Sequence, residues 1–151
     1  MNVPAHVCSA RAWRPDVGPR RRIPAAHLLG GPVCWWPRAK RRYAATKHAA
    51  VAYAEWLAVT YGDAGLRVSA LCPQGVRTPV VADRPRGRSA AAKAVTAAGE
   101  LLEPDDVAGV VVEGLAAERF LVLPRPEVSR YVRHKAADRD RWIAGARRRT
   151  G

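Results

Sequence analysis

The sequence predicts an α/β fold, from three observations. Two short apolar runs, 66–72 and 120–123, have the length of buried strands and stop at Pro73 and Pro124. Each follows a stretch of helical character, 39–61 and the run opening at Pro104. Strands that alternate with helices make an α/β chain. The chain is also too short, at 151 residues, for more than one domain.

The first segment, 1–42, is expected to be irregular. Pro4, Pro15, Pro19, Pro24, Pro32 and Pro37 recur too closely for a regular helix, and nine Lys/Arg stand against the single acid Asp16. Residues 43–151 hold 17 basic and 12 acidic side chains, so composition changes near Tyr43. The helix over 39–61 is rich in alanine and ends at Gly62 and Gly65, with Val51, Trp56 and Val59 as its apolar contact surface.

A strand follows over 66–72. Residues 77–99 read as a polar, basic loop and then an alanine-rich helix. Pro104 with Asp105 and Asp106 marks a helix start, proline in the first turn and acids at the positive end of the dipole. Val107, Val110, Val111 and Leu115 form its apolar face. A buried strand over 120–123 leads to one long, charged, amphipathic helix over 127–146, anchored by Tyr131, Trp142 and Ile143.

Chemistry is concentrated at Tyr43-Ala-Ala-Thr-Lys47. Residues four apart share a helix face. An ammonium beside a phenol favours the phenolate and lowers the tyrosine pKa from about 10, giving a proton donor and acceptor usable near neutral pH. The spacing alone is common. Taken singly, Tyr43 is better explained as a partly exposed helix residue, and Thr78 as a capping turn residue.

Order decides between these readings. The Tyr-x-x-x-Lys helix is followed by the strand over 66–72 and then by Pro73-Gln-Gly-Val-Arg-Thr78. This resembles the C-terminal half of the short-chain dehydrogenase/reductase family, from about Tyr43 to the end of the chain. The resemblance implies an incomplete, Rossmann-like, doubly wound fold with only its C-terminal strands and helices, two of them strands. It implies that Tyr43 is the catalytic acid/base, and that Lys47 lowers its pKa and holds the nicotinamide ribose. Pro73, Gly75, Val76 and Thr78 match the loop that edges the nicotinamide of NAD or NADP. The Val76 backbone would face the carboxamide, with Thr78 near it or the pyrophosphate. Gln74 stands where the family has glycine, which puts the local turn in question. The family also pairs this helix with its mate, so a homo-oligomer through 43–61 is expected; the alternative is that the same side chains only pack on the sheet. The 77–99 region would lid a small alcohol or carbonyl substrate.

Other family parts are missing from these residues. Dinucleotide binding needs a Gly-rich turn before a helix N-terminus, and 1–42 holds only Gly18, Gly30 and Gly31. The family's serine would fall at Gly30, and the only asparagine is Asn2. Without a bound hydride carrier, proton transfer gives no turnover, so this chain is expected to bind no cofactor alone and to be inactive.

Composition narrows the remaining classes. Cys8, Cys34 and Cys72 form neither a paired framework nor a metal spacing, which fits reduced thiols in the cytoplasm. No apolar run is long enough for a membrane span, and His27 and two prolines interrupt the stretch after Arg20-Arg-Arg22 that could mimic an export signal. The basic first segment, with Trp13, Trp35 and Trp36, allows non-specific contact with polyanions but contains no nucleic-acid motif. Its composition also matches GC-rich coding DNA read out of frame. Shifted by one base, the codons of His27-Leu-Leu-Gly-Gly31 permit Ile-Ser-Ser-Ala-Ala, the family's serine motif.

Overall fold

A computed structural model describes residues 23–27, 41–78 and 101–150. Its centre is a parallel sheet in the order β1 (Ile23–His27), β2 (Leu66–Leu71), β3 (Leu121–Val122). Ile23 lies opposite Leu66 and His27 opposite Ala70, while Ala70 and Leu71 also face Leu121 and Val122. The sequence suggested two strands and an irregular first segment, so β1 is a correction. The physical reason lies in β2, whose residues are buried except Arg67. A strand covered on both faces must have its N–H and C=O groups paired on both edges, and β1 occupies the edge that β3 leaves open. Pro24 is tolerated there because alternate residues of a parallel strand turn their N–H away from the partner.

Helix α1 (Arg41–Tyr61) connects β1 to β2. Its inner stripe is Ala50, Ala54 and Leu57, packed on Leu66, Val68 and Ala70. The expected contact surface is thus only partly right. Val51 is half-buried against this cluster, whereas Trp56 is 52% and Val59 85% exposed. Alanines let the helix axis approach the sheet closely, so the larger side chains are left on the far side. There Trp56 stacks on Tyr53 and meets Tyr61 edge-on, with ring centroids 5.8 Å apart in both pairs. The helix ends as expected. The Gly62 N–H donates to Ala58 C=O, and Gly65 takes φ 95°, a left-handed conformation that glycine adopts without a Cβ clash.

Helix α2 (Pro104–Ala116) connects β2 to β3 and begins at the expected proline, with Glu103 in extended conformation before it. Val107, Val110 and Val111 pack on Leu71 and Val122. Gly114 lies so close to β3 that a Cβ there would meet Val122 Cγ2 at 2.7 Å. The helix stops through Glu118, a non-glycine residue at φ 52°, with the Arg119 N–H donating to Gly114 C=O. The Ser69 hydroxyl donates to Arg119 C=O at 2.7 Å, which ties this turn to β2.

The charged tail expected to be one helix is two, α3 (Pro126–Ala137) and α4 (Arg139–Thr150). Asp138 breaks it. Its backbone is extended and its carboxylate accepts the Arg141 N–H at 2.8 Å, which is N-cap geometry. An aspartate two residues before Asp140 was the available signal. No helix among the described residues is long and apolar enough to cross a membrane.

Candidate active site

In a β-α-β unit the helix runs back against its strands, so α1 begins at the sheet's carboxyl edge. The loop after β2 leaves from that same edge, where ligands of open α/β sheets bind. Tyr43 sits in the first turns of α1 and Lys47 one turn further on; the Tyr43 side chain lies outside the described residues. Lys47 is half-buried. Burial holds its ammonium below the usual lysine range, because desolvation disfavours the charged form.

The loop Pro73–Thr78 is braced from outside the expected motif. Leu102 forms a parallel bridge with Val76: its N–H donates to Gly75 C=O and its C=O accepts the Arg77 N–H, both at 2.9 Å. In such a bridge the middle residue turns its own N–H and C=O to the opposite side. Val76 therefore presents its peptide groups away from Leu102. Arg77 Nε also donates to Glu103 Oε1 at 2.6 Å, between two exposed side chains. Gly75 is buried, and Pro73, Gln74, Val76 and Thr78 are half-buried. Gln74 Oε1 is buried without a hydrogen-bond partner, a polar atom that costs stability where it lies. The expected loop residues are consecutive along the loop after β2, and Lys47 lies in the second turn of α1. Gly30 and the 79–99 part of the lid region fall outside the described residues.

Sequence reasoning missed a second cluster, between α1 and the C-terminal helices. Lys135 of α3 is only 8% exposed, and its Nζ stands 3.1 Å from His48 Nε2 and 5.0 Å from the centroid of Trp142. An ammonium can only donate, so Nε2 accepts and the imidazole proton sits on Nδ1, which donates to Ala44 C=O at 2.9 Å. This contact fastens α3 and α4 to α1 one residue past Lys47. The one sequence signal was that Lys135 repeats the inward position of Val128 two turns later.

A family model described as "Enoyl-(Acyl carrier protein) reductase", of the short-chain dehydrogenase type, matches residues 21–118. The chain belongs to the short-chain dehydrogenase/reductase family. Among curated members of this family, it is 37% identical to a 1-deoxy-11-beta-hydroxypentalenate dehydrogenase of Streptomyces exfoliatus, over 77% of this chain and 40% of that protein. The same-named Streptomyces arenae enzyme is 35% identical over 89% of this chain and 47% of its own length. The chain thus spans less than half of each of these relatives. A short-chain dehydrogenase from Sphingobium yanoikuyae, solved in complex with NADPH, shares the fold with a TM-score of 0.63 at 21% identity, covering 96% of this chain and 53% of that one. The family match begins before Tyr43 and takes in β1, so the likeness reaches further toward the N-terminus than the motif alone.

Proposed function

We propose that this chain carries the proton-transfer side of an NAD(P)-dependent oxidoreductase site that acts, in the whole protein, on an alcohol or carbonyl compound in the cytoplasm. The observation that carries this reading is the Leu102 bridge, which aims the Val76 peptide groups away from their brace at the sheet's carboxyl edge. A nicotinamide carboxamide needs such an N–H and C=O pair, and the unpartnered Gln74 Oε1 adds an acceptor to the same loop. The residues present therefore fit that edge of a dinucleotide, with Thr78 closing the loop and Lys47 reaching the ribose. When bound, the cofactor supplies or accepts hydride. Tyr43 gives its phenolic proton to the substrate oxygen or takes it back, and a charged Lys47 holds the phenolate within reach of neutral pH. Burial of Lys47 opposes that charge, which sets an upper limit on the pH at which the pair works.

The residues that would hold the pyrophosphate have no counterpart in the sequence 1–42. We therefore propose that the chain alone is inactive. A fluorescence titration with NADPH tests this: no binding is expected, and saturable binding that Val76→Pro weakens would overturn the inactivity while supporting the loop assignment.

A second reading is an interaction module that pairs through α1. It is favoured by the exposed Trp56 and Val59 on that helix. Sedimentation of wild type against Trp56→Ser tests it, and a monomeric wild type would exclude it.

A further inference from the structure

The contact between the C-terminal helices and α1 includes a cation. On α3, Val128 and Lys135 are buried, and Trp142 of α4 is half-buried beside the Lys135 ammonium. A charge taken out of water must be paired. Here the group it meets on α1 is a base: Lys135 Nζ stands 3.1 Å from His48 Nε2.

Geometry fixes where the protons sit. His48 Nδ1 donates to Ala44 C=O at 2.9 Å, so Nε2 is the nitrogen that receives the Lys135 N–H. Imidazole is the side chain suited to take up a proton between about pH 5 and 8. On His48 that proton can go only to Nε2, which then becomes a donor. Two cationic donors would face each other at 3.1 Å, and Lys135, 8% exposed, lies where water screens the repulsion poorly. The titratable groups nearest along each element do not offset it. On α1, Lys47 precedes His48, and Glu55 stands exposed two turns further on. On α3 and α4, His134 and Arg139 are exposed, and the Asp138 carboxylate already accepts the Arg141 N–H. Residues 125–151 as a whole hold nine basic and three acidic side chains.

We infer that the Lys135–His48 contact is an acid-sensitive clasp, which holds α3 and α4 against α1 while His48 is neutral and releases them when it is protonated. The docked form binds one proton fewer than the released form, so release is favoured as pH falls. The response is local. Nδ1 carries its proton in both forms, so the bond from His48 to Ala44 C=O survives and the first turns of α1 stay intact. The buried cluster between α1 and β2, formed by Ala50, Ala54, Leu57, Leu66, Val68 and Ala70, contains no titratable side chain. Acid therefore frees the last two helices without unfolding the sheet beneath α1.

The test is hydrogen exchange of the full chain, read by mass spectrometry from about pH 8 to about pH 5 and corrected for the intrinsic pH dependence of exchange. In wild type, protection of the α3 and α4 amides is expected to fall with a slope approaching tenfold per pH unit, the value for one proton linked to one opening. The amides of α1 and β2 should keep their protection. Two variants accompany it. In His48→Gln the side-chain carbonyl accepts from Lys135 at every pH, and in Lys135→Met an uncharged thioether takes the place beside Trp142. Both should show α3–α4 protection that does not change with pH. A flat wild-type profile overturns the inference. So does a slope retained in either variant, because another group then drives the release. Parallel loss of protection in α1 and β2 also overturns it, since that is general acid unfolding. This wild-type comparison decides the matter even if a variant fails to fold.

Discussion

Two glycines of α2 offer a direct test of how that helix lies on the sheet. Gly109 and Gly114 both occupy interior positions, where alanine is favoured over glycine by about 1 kcal/mol. Their surroundings differ. A Cβ at Gly109 meets nothing within 4 Å, so Gly109→Ala should stabilise the fold by roughly 0.5–1 kcal/mol. A Cβ at Gly114 meets Val122 Cγ2 at 2.7 Å and Cγ1 at 3.2 Å. Rotating Val122 exchanges one methyl for the other, and with only 3% of its surface exposed it has no open side to turn toward. The helix must therefore lift from β3. Overpacking of this kind costs about 1–3 kcal/mol, so after the propensity gain Gly114→Ala should destabilise by up to roughly 2 kcal/mol. Urea unfolding followed by circular dichroism measures both variants. If Gly114→Ala is as stable as Gly109→Ala, α2 does not sit on Val122 as described. A Val122→Ala partner substitution should rescue the Gly114→Ala defect in part, which isolates the contact from any effect on the unfolded chain.

Three further outcomes are expected. Glu118→Gly should gain about 0.5–1 kcal/mol in the same assay, since relief of a left-handed non-glycine residue outweighs its half-exposed ion pair with Arg67. Burial lowers the Lys47 pKa below the unfolded 10.5, so its charge penalises the native state at neutral pH and the penalty fades as pH rises toward 10.5. The stability of Lys47→Met relative to wild type should accordingly fall over that range; a constant difference would rule out desolvation as the cause. Third, the coding DNA upstream of codon 43, read one base forward, is expected to encode Ile-Ser-Ser-Ala-Ala across codons 27–31. A stop codon in that frame would end the idea of a frame change.

The elements that could be read directly from the sequence were those with local chemical markers. Pro104 with two aspartates marked the start of α2, and Pro73 marked the end of β2 and the start of the site loop. The Tyr43–Lys47 spacing and the Pro73–Thr78 loop identified the family because they occur in order. The features that escaped depend on distant partners. Strand β1 contains a proline and exists because β2 needs a second edge. The buried face of α1 is made of alanines, so side-chain size pointed to the wrong side of the helix. Nothing near Leu102 announces that it braces Val76, and Lys135 looks like one more surface cation until His48 and Trp142 enclose it.

The Leu102 bridge also has an evolutionary meaning. It joins the chain at Val76 to the chain at Leu102, so the residues between them leave and return at one hydrogen-bonded point. Lengthening such an excursion is entropically cheap, about 0.6 kcal/mol for each doubling. Insertions, deletions and whole replacements between those anchors can therefore accumulate while Val76 keeps its orientation. The molecule separates a part that can be rewritten from a part that must stay, and a single pair of backbone hydrogen bonds marks the border.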